Sequence, residues 1–249
     1  MSKITTKALF RRATADDLQD LVEYVTKPVT GRLDQTDQYK EHSPDHTKYA
    51  KEILEEIKAF GANTIVNFFR GGGPRYREVV ADVADKIGVP DVGEAGHSVA
   101  DLERRILEKI LKDAMDSTEG KDRAEIEQAL KDAGVGAKDL SVLLSGGSAA
   151  SVIAARLSGF ALYRVSLIVA NAVAKHVLGR GLSLAANAAL TRSIAVAVGP
   201  IGWVFTGLWT VLDLAGPAYR VTIPCVIHVA MLRQKYLSED EAARPTAAD

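Results

Sequence analysis

The sequence predicts an all-α protein, a multi-helix bundle that carries an apolar C-terminal helical hairpin. Three observations predict it. Apolar residues recur at helical spacing through the N-terminal half, as in Leu18, Leu21, Val22 and Val25 or Ile53, Leu54, Ile57 and Phe60. Helix starts and stops punctuate these stripes, and no strand pair with a hairpin turn is found. From about Leu140 the chain becomes small and apolar, and residues 193–212, SIAVAVGPIGWVFTGLWTVL, form an uncharged run about as long as a bilayer-spanning helix needs.

The elements follow in order. In RRATADDLQDLVEYVTKP, Thr14 is placed to cap a helix, Asp16 and Asp17 sit near its positive end, and Pro28 stops it. SPDHTKYAKEILEEIKAFG reads as a helix with Ser43 as cap, Pro44 in the first helical position and Gly61 as the stop. NTIVNFFR reads as a short helix and RGGG as a linker into PRYREVVADVADKIG, where Tyr76, Val79, Val80, Val83 and Ile87 repeat at helical spacing. Amphipathic helices are expected from Ser98 to Met115 and from Thr118 to Ala133. GGSAASVIAARLSGFALYRVSLIVANAVAKHVLG reads as one long helix, and GRG at 179–181 turns the chain. The apolar segment from Leu182 to Leu214 is broken at Gly199 and Pro200. AYRVTIPCVIHVAMLRQKYL begins with a strand-like alternation but is long for a strand, and it is read as a helix with Pro224 in its first turn. The organisation is therefore an acidic helical region over 1–139, a basic hydrophobic region over 140–237, and a polar tail over 238–249 that is expected to be disordered.

With 47% hydrophobic and 25% charged residues, the composition suits a folded core. Charge is unevenly spread: residues 1–143 hold 22 Lys and Arg against 27 Asp and Glu, a surplus of five negative charges, whereas residues 144–232 hold six against one, a surplus of five positive. That asymmetry points to an anionic membrane surface or a protein partner, and an oligomer is compatible with it. It disfavours nucleic acid, because the basic residues are dispersed among apolar ones. The one cysteine, Cys225, lies in an apolar run and reads as a small buried hydrophobe. MSKITTKALFRR is followed by the polar ATADDLQD rather than an apolar stretch, which predicts no secretory signal and a cytoplasmic protein, associated at most with the inner membrane.

The uncharged run has two readings, a membrane element or a helical hairpin at the centre of a water-soluble bundle, and both settings select the same side chains. The candidate membrane or interaction residues are Arg156, Arg164, Lys175, Arg180, Arg192, Trp203, Phe205 and Trp209. RGGGPRYR offers a glycine loop leading into a helix N-terminus, making Arg70, Gly71, Gly72, Gly73, Arg75 and Arg77 a candidate anion or headgroup site. It lacks the Gly-Lys-Ser/Thr ending of a P-loop and no strand precedes it. His42 and His46 flank Asp45, but the helix-start signals there and the absence of a further ligand cluster argue against a metal. No Ser or Cys nucleophile has an identifiable base, and Asp213 with Arg220 is a candidate pair across the Gly216-Pro217 turn.

FGANTIVNFFRGGGPRYREVVADVADKIG and AGPAYRVTIPCVIHVAMLRQ closely resemble segments of the YaaW family of uncharacterised bacterial proteins, and LFRRATADDLQDLVEYVT resembles that family's short N-terminal module, about residues 9–27. The resemblance implies an all-helical bacterial protein. Some members are labelled as related to ubiquinol-cytochrome c chaperones, which implies a respiratory assembly role, and no catalytic residue or cofactor carries over. The expected function is that of a non-enzymatic protein engaging a membrane through a conditionally exposed hairpin, with pore formation as its furthest form. The alternative is a soluble interaction or assembly factor that keeps the hairpin as its core.

Overall fold

A computed structural model describes residues 4–62, 74–93, 96–116, 119–132, 134–138, 159–183 and 216–244. These contain nine α-helices and no strand: α1 (Thr6–Arg12), α2 (Ala15–Thr26), α3 (Asp37–His42), α4 (Ala50–Ala62), α5 (Tyr76–Ile87), α6 (Val99–Asp116), α7 (Gly120–Asp132), α8 (Gly159–Leu178) and α9 (Tyr219–Ala242). Two 3-10 turns, Leu33–Gln35 and His46–Tyr49, join α2 to α4 through α3. The fold is all-α, as the sequence predicts. The expected helix over NTIVNFFR, the part of the long apolar helix before Gly159, and the uncharged run 193–212 lie outside the described residues.

The centre of the bundle is its last helix. Every residue of α9 from Val221 to Gln234 is buried, and α9 packs against α1, α2, α4, α5, α6 and, most extensively, α8. A helix buried on all sides has no amphipathic period, which is why this segment reads ambiguously in the sequence. Pro224 is the sixth residue of α9, a turn deeper than the sequence suggests, where proline has no N–H for the helical ladder. Burial offsets that loss, at about 1.5–3 kcal/mol for each large apolar side chain removed from water. The helix also runs to Ala242, so the segment expected as a disordered tail is helical over 238–242. Its end is held by Arg12, which bonds Glu239 at 3.0 Å and Asp240 at 2.5 Å and lies 4.5 Å over the Tyr236 ring.

The region before α4 departs from expectation. Ser43 is the C-cap of α3, donating its N–H to Tyr39, and Ser43-Pro44 is cis. Ser-Pro suits either a helix start or a break, and Thr36, whose Oγ1 accepts from the Tyr39 N–H, starts a polar helix with no apolar stripe to announce it. Downstream, α4 meets α5 at Gly61, where an added Cβ would lie 2.5 Å from Val79 Cγ2. Val79 is buried, so Gly61→Ala is expected to cost about 1–3 kcal/mol by overpacking, despite alanine's better helix propensity. Urea denaturation checks this.

Two carboxylates on α6 face the core. Glu103 and Arg233 are both buried and bidentately paired, joining α6 to α9; Arg233 also donates to Ile4 O at 2.5 Å and Thr6 Oγ1 at 3.0 Å. Glu108 is 8% exposed at its side chain and has Arg104 Nε at 3.4 Å. Burial pushes its carboxyl up to about 7, against the pull of Arg104 and Arg105. A raised carboxyl contributes stability that is complete below the unfolded value and lost as pH rises through 7. Glu108→Gln is therefore expected to stabilise the protein by on the order of 1 kcal/mol at pH 8, after discounting for solvent screening, with the advantage vanishing towards pH 4. Thermal melts across pH check the sign.

Candidate functional site

Helix α2 buries acids in its apolar face. Asp17, Asp20, Leu21 and Tyr24 share a face by helical spacing, and all four are buried. Thr14 and Asp17 form a reciprocal cap: Asp17 N–H donates to Thr14 Oγ1 at 3.2 Å, and Thr14 N–H donates to Asp17 Oδ2 at 3.1 Å. The same carboxylate accepts from Lys235 Nζ at 2.7 Å and Tyr236 Oη at 2.5 Å, tying α2 to α9. Burial works to raise Asp17, but the Lys235 and Tyr236 bonds, the Lys235 charge and the cap outweigh it and hold the carboxyl below its ordinary value.

One turn on, Asp20 accepts from Ser183 N at 2.9 Å and Ser183 Oγ at 3.0 Å and forms an ion pair with Arg180 Nη1 at 2.8 Å. Arg180 also donates to Glu23, which accepts from Gln19 Nε2 at 3.0 Å. Gln19 Oε1 in turn accepts from His46 Nε2 at 2.7 Å, and His46 Nδ1 accepts from Tyr49 Oη at 2.5 Å. Both ring nitrogens of His46 are thus engaged within the protein. The turn at 179–183 is drawn tight: Asn171 Oδ1 accepts from Leu182 N at 2.8 Å, and a Cβ on Gly181 would lie 2.7 Å from that oxygen. Lys27 Nζ donates to Val177 O at 2.7 Å, covering a terminal carbonyl of α8. The result is a polar latch in which an acidic helix face grips the chain where the 182–214 apolar segment begins.

A second titratable group lies beneath the latch. His228 Nε2 donates to Asp17 O at 3.0 Å, its ring meets Tyr24 edge-on at 6.1 Å, and Nδ1 is buried without a hydrogen-bond partner among the described residues. Burial depresses its pKa, so the neutral form is favoured. Stability from a depressed histidine is complete above the unfolded value near 6.5 and falls as pH drops below it; Asp17 adds acid sensitivity only below the carboxylate range. Cys225, one turn away, is also buried, and burial pushes its thiol up, away from nucleophilic use.

Of the residues singled out from sequence, Arg180 is the one built into the latch, where its charge meets Asp20 and Glu23 rather than open solvent. Arg164 lies 5.7 Å over the ring of Phe160, which is 49% exposed at the start of α8. Lys175 is exposed in the last turn of the same helix. Arg75 caps α5, its N–H donating to Glu78 at 2.8 Å, and Arg77 donates to His97 O at 3.1 Å. Arg70, Gly71, Gly72 and Gly73 lie outside the described residues, as do Arg156, Arg192, Trp203, Phe205, Trp209 and Asp213. The latch acids were missed by sequence reasoning, although Asp17 and Asp20 standing within an apolar stripe were a usable signal.

Comparison with known proteins agrees with the resemblance seen in the sequence. A UPF0174 protein of Helicobacter pylori strain J99 is 38% identical over 237 residues, covering 93% of this chain and 91% of the relative. A second UPF0174 protein of that strain is 34% identical over 208 residues, 81% of this chain and 96% of the relative. UPF0174 protein YaaW of Escherichia coli strain K12 is 29% identical over 193 residues, 78% of this chain and 74% of the relative. No family model matches the chain, and no solved structure matches it.

Proposed function

This chain belongs to the UPF0174 family of bacterial proteins, and from that premise and the latch we propose that it is a non-enzymatic protein that engages anionic membrane surfaces conditionally. In solution the acidic face of α2 holds the start of the apolar segment. At an anionic surface Arg180 exchanges Asp20 and Glu23 for lipid phosphates, and the apolar segment exchanges protein neighbours for hydrocarbon. The observation that carries the reading is the grip of Asp20 on Arg180 and Ser183 at the first residues of that segment. Helix α8 supports it, because Phe160–Leu178 is long and apolar enough to cross a bilayer, with the exposed Phe160 and the half-buried Arg164 at its start. Each basic residue near such a surface contributes about 1 kcal/mol, screened by salt.

Flotation of the detergent-free protein with phosphatidylglycerol vesicles tests this across a salt series. Binding at low salt that falls as salt rises is expected, and leakage of an entrapped dye would extend the reading to a pore. One observation favours a second reading: two-thirds of the apolar window of α8 is already buried, mainly against α9, as in a permanent core. An interaction or assembly factor built this way would stay out of the floating fraction at every salt concentration.

A further inference from the structure

Helix α8 carries two cations with no counter-charge. Arg164 and Lys175 make no hydrogen bond and no ion pair among the described residues, and Arg164 Nε is buried without an acceptor. Asp17 and Glu239, the acids whose charges reach the neighbouring Tyr163, are already paired with Lys235 and Arg12. Phe160 stands one turn before Arg164, exposed, with the guanidinium 5.7 Å over its ring, and Lys175 stands three turns after Arg164, so the three share one helix face. At a rise of about 1.5 Å per residue, the two cations are about 16 Å apart along the axis. Between them Leu167, Ile168 and Asn171 are buried, and the face meets solvent at its two ends.

We infer that this face meets the membrane first, its two ends docking α8 along an anionic lipid surface. The inference rests on the membrane reading above and names the surface that makes the contact. A phosphate offers Arg164 two oxygens for Nε and a terminal nitrogen together, which the folded protein does not supply. A buried donor without an acceptor is costly, so the lipid-bound state gains at this residue relative to the free one. Two cations about 16 Å apart on one face suit an extended sheet of headgroups rather than a single small anion, and the Phe160 ring supplies apolar area for the headgroup boundary.

The test uses the full chain carrying the environment-sensitive dye NBD on Phe160→Cys. Cys225 is fully buried, which leaves the new thiol as the reactive one. A label on Ala59→Cys, at an exposed position of α4, is the control. With phosphatidylglycerol vesicles the Phe160→Cys label is expected to brighten and shift to the blue, less so as salt rises, while the Ala59→Cys label stays unchanged. Arg164→Gln with Lys175→Gln is expected to weaken flotation about tenfold. Protein that floats with its Phe160→Cys label still in water, or a double variant that floats like wild type, would overturn the choice of face and leave the membrane reading standing. A Phe160→Cys label that shifts without vesicles as protein concentration rises would overturn it by assigning the face to contact between copies of the chain. Wild type absent from the floating fraction at every salt concentration would remove the membrane reading itself, and this face with it.

Discussion

Glu103→Gln is expected to destabilise the protein by about 3–5 kcal/mol, the usual cost of stranding one partner of a buried ion pair. Arg233 is 1% exposed and cannot neutralise itself by losing its proton, so without the carboxylate its charge stays buried against neutral acceptors such as the new amide oxygen, Ile4 O and Thr6 Oγ1. Arg233→Met should cost less, because burial already raises the Glu103 carboxyl and the orphaned acid can take up a proton. That variant should regain stability as pH falls, since a raised carboxyl binds its proton more tightly in the folded state. Replacing both, Glu103→Leu with Arg233→Met, should recover most of the loss. Urea denaturation of wild type and the three variants at pH 7 and pH 5 tests this order. An unchanged Glu103→Gln midpoint would mean that the pair does not hold α6 to α9.

The second large effect concerns the latch. Asp20→Asn keeps the shape of the side chain while removing the charge that meets Arg180, and it leaves the buried contacts of Ser183 weakened. The fraction bound to phosphatidylglycerol vesicles is expected to rise about tenfold, equivalent to about 1.4 kcal/mol. Arg180→Gln opens the same latch but removes one cation, so its gain should be smaller by about the 1 kcal/mol that a basic residue contributes near the surface. Loss of vesicle binding in Asp20→Asn would show that the acids attract the partner rather than restrain it. Lowering the pH from 7 towards 5 should move wild type in the same direction as Asp20→Asn, because proton uptake favours states in which the buried, neutral His228 is released.

The legible parts of the fold were those in which one helix face meets the core. In α2, α4 and α5 the stripes Leu18–Leu21–Val25, Ile53–Ile57–Phe60 and Val79–Val83–Ile87 are buried as their spacing implies. Boundaries failed where a local signal has two meanings, as at Ser43-Pro44, and α3 went unseen because it carries no apolar stripe. Helix α9 resisted reading for the opposite reason, being buried on every side from Val221 to Gln234, its polar residues included. The latch was half visible: Asp17 and Asp20 interrupt an apolar stripe, but Ser183, 163 residues from Asp20, and Lys235, 218 residues from Asp17, are partners that no local pattern connects. Glu103 and Arg233 are hidden in the same way, each looking like an ordinary charge on an amphipathic helix until the bundle closes.

In the proposed function the apolar segment leaves the protein for lipid when the latch opens. The chain has two tryptophans, Trp203 and Trp209, and both lie in the uncharged run, so their fluorescence reports on that segment alone. The deciding measurement is quenching of tryptophan emission by phosphatidylglycerol brominated on its acyl chains, compared between wild type and Asp20→Asn. Quenching that grows with vesicle concentration, weakens with salt and is stronger in Asp20→Asn is the predicted result. Protein that floats with the vesicles while its tryptophans remain unquenched in both forms would contradict the claim and leave the apolar segment as a permanent core.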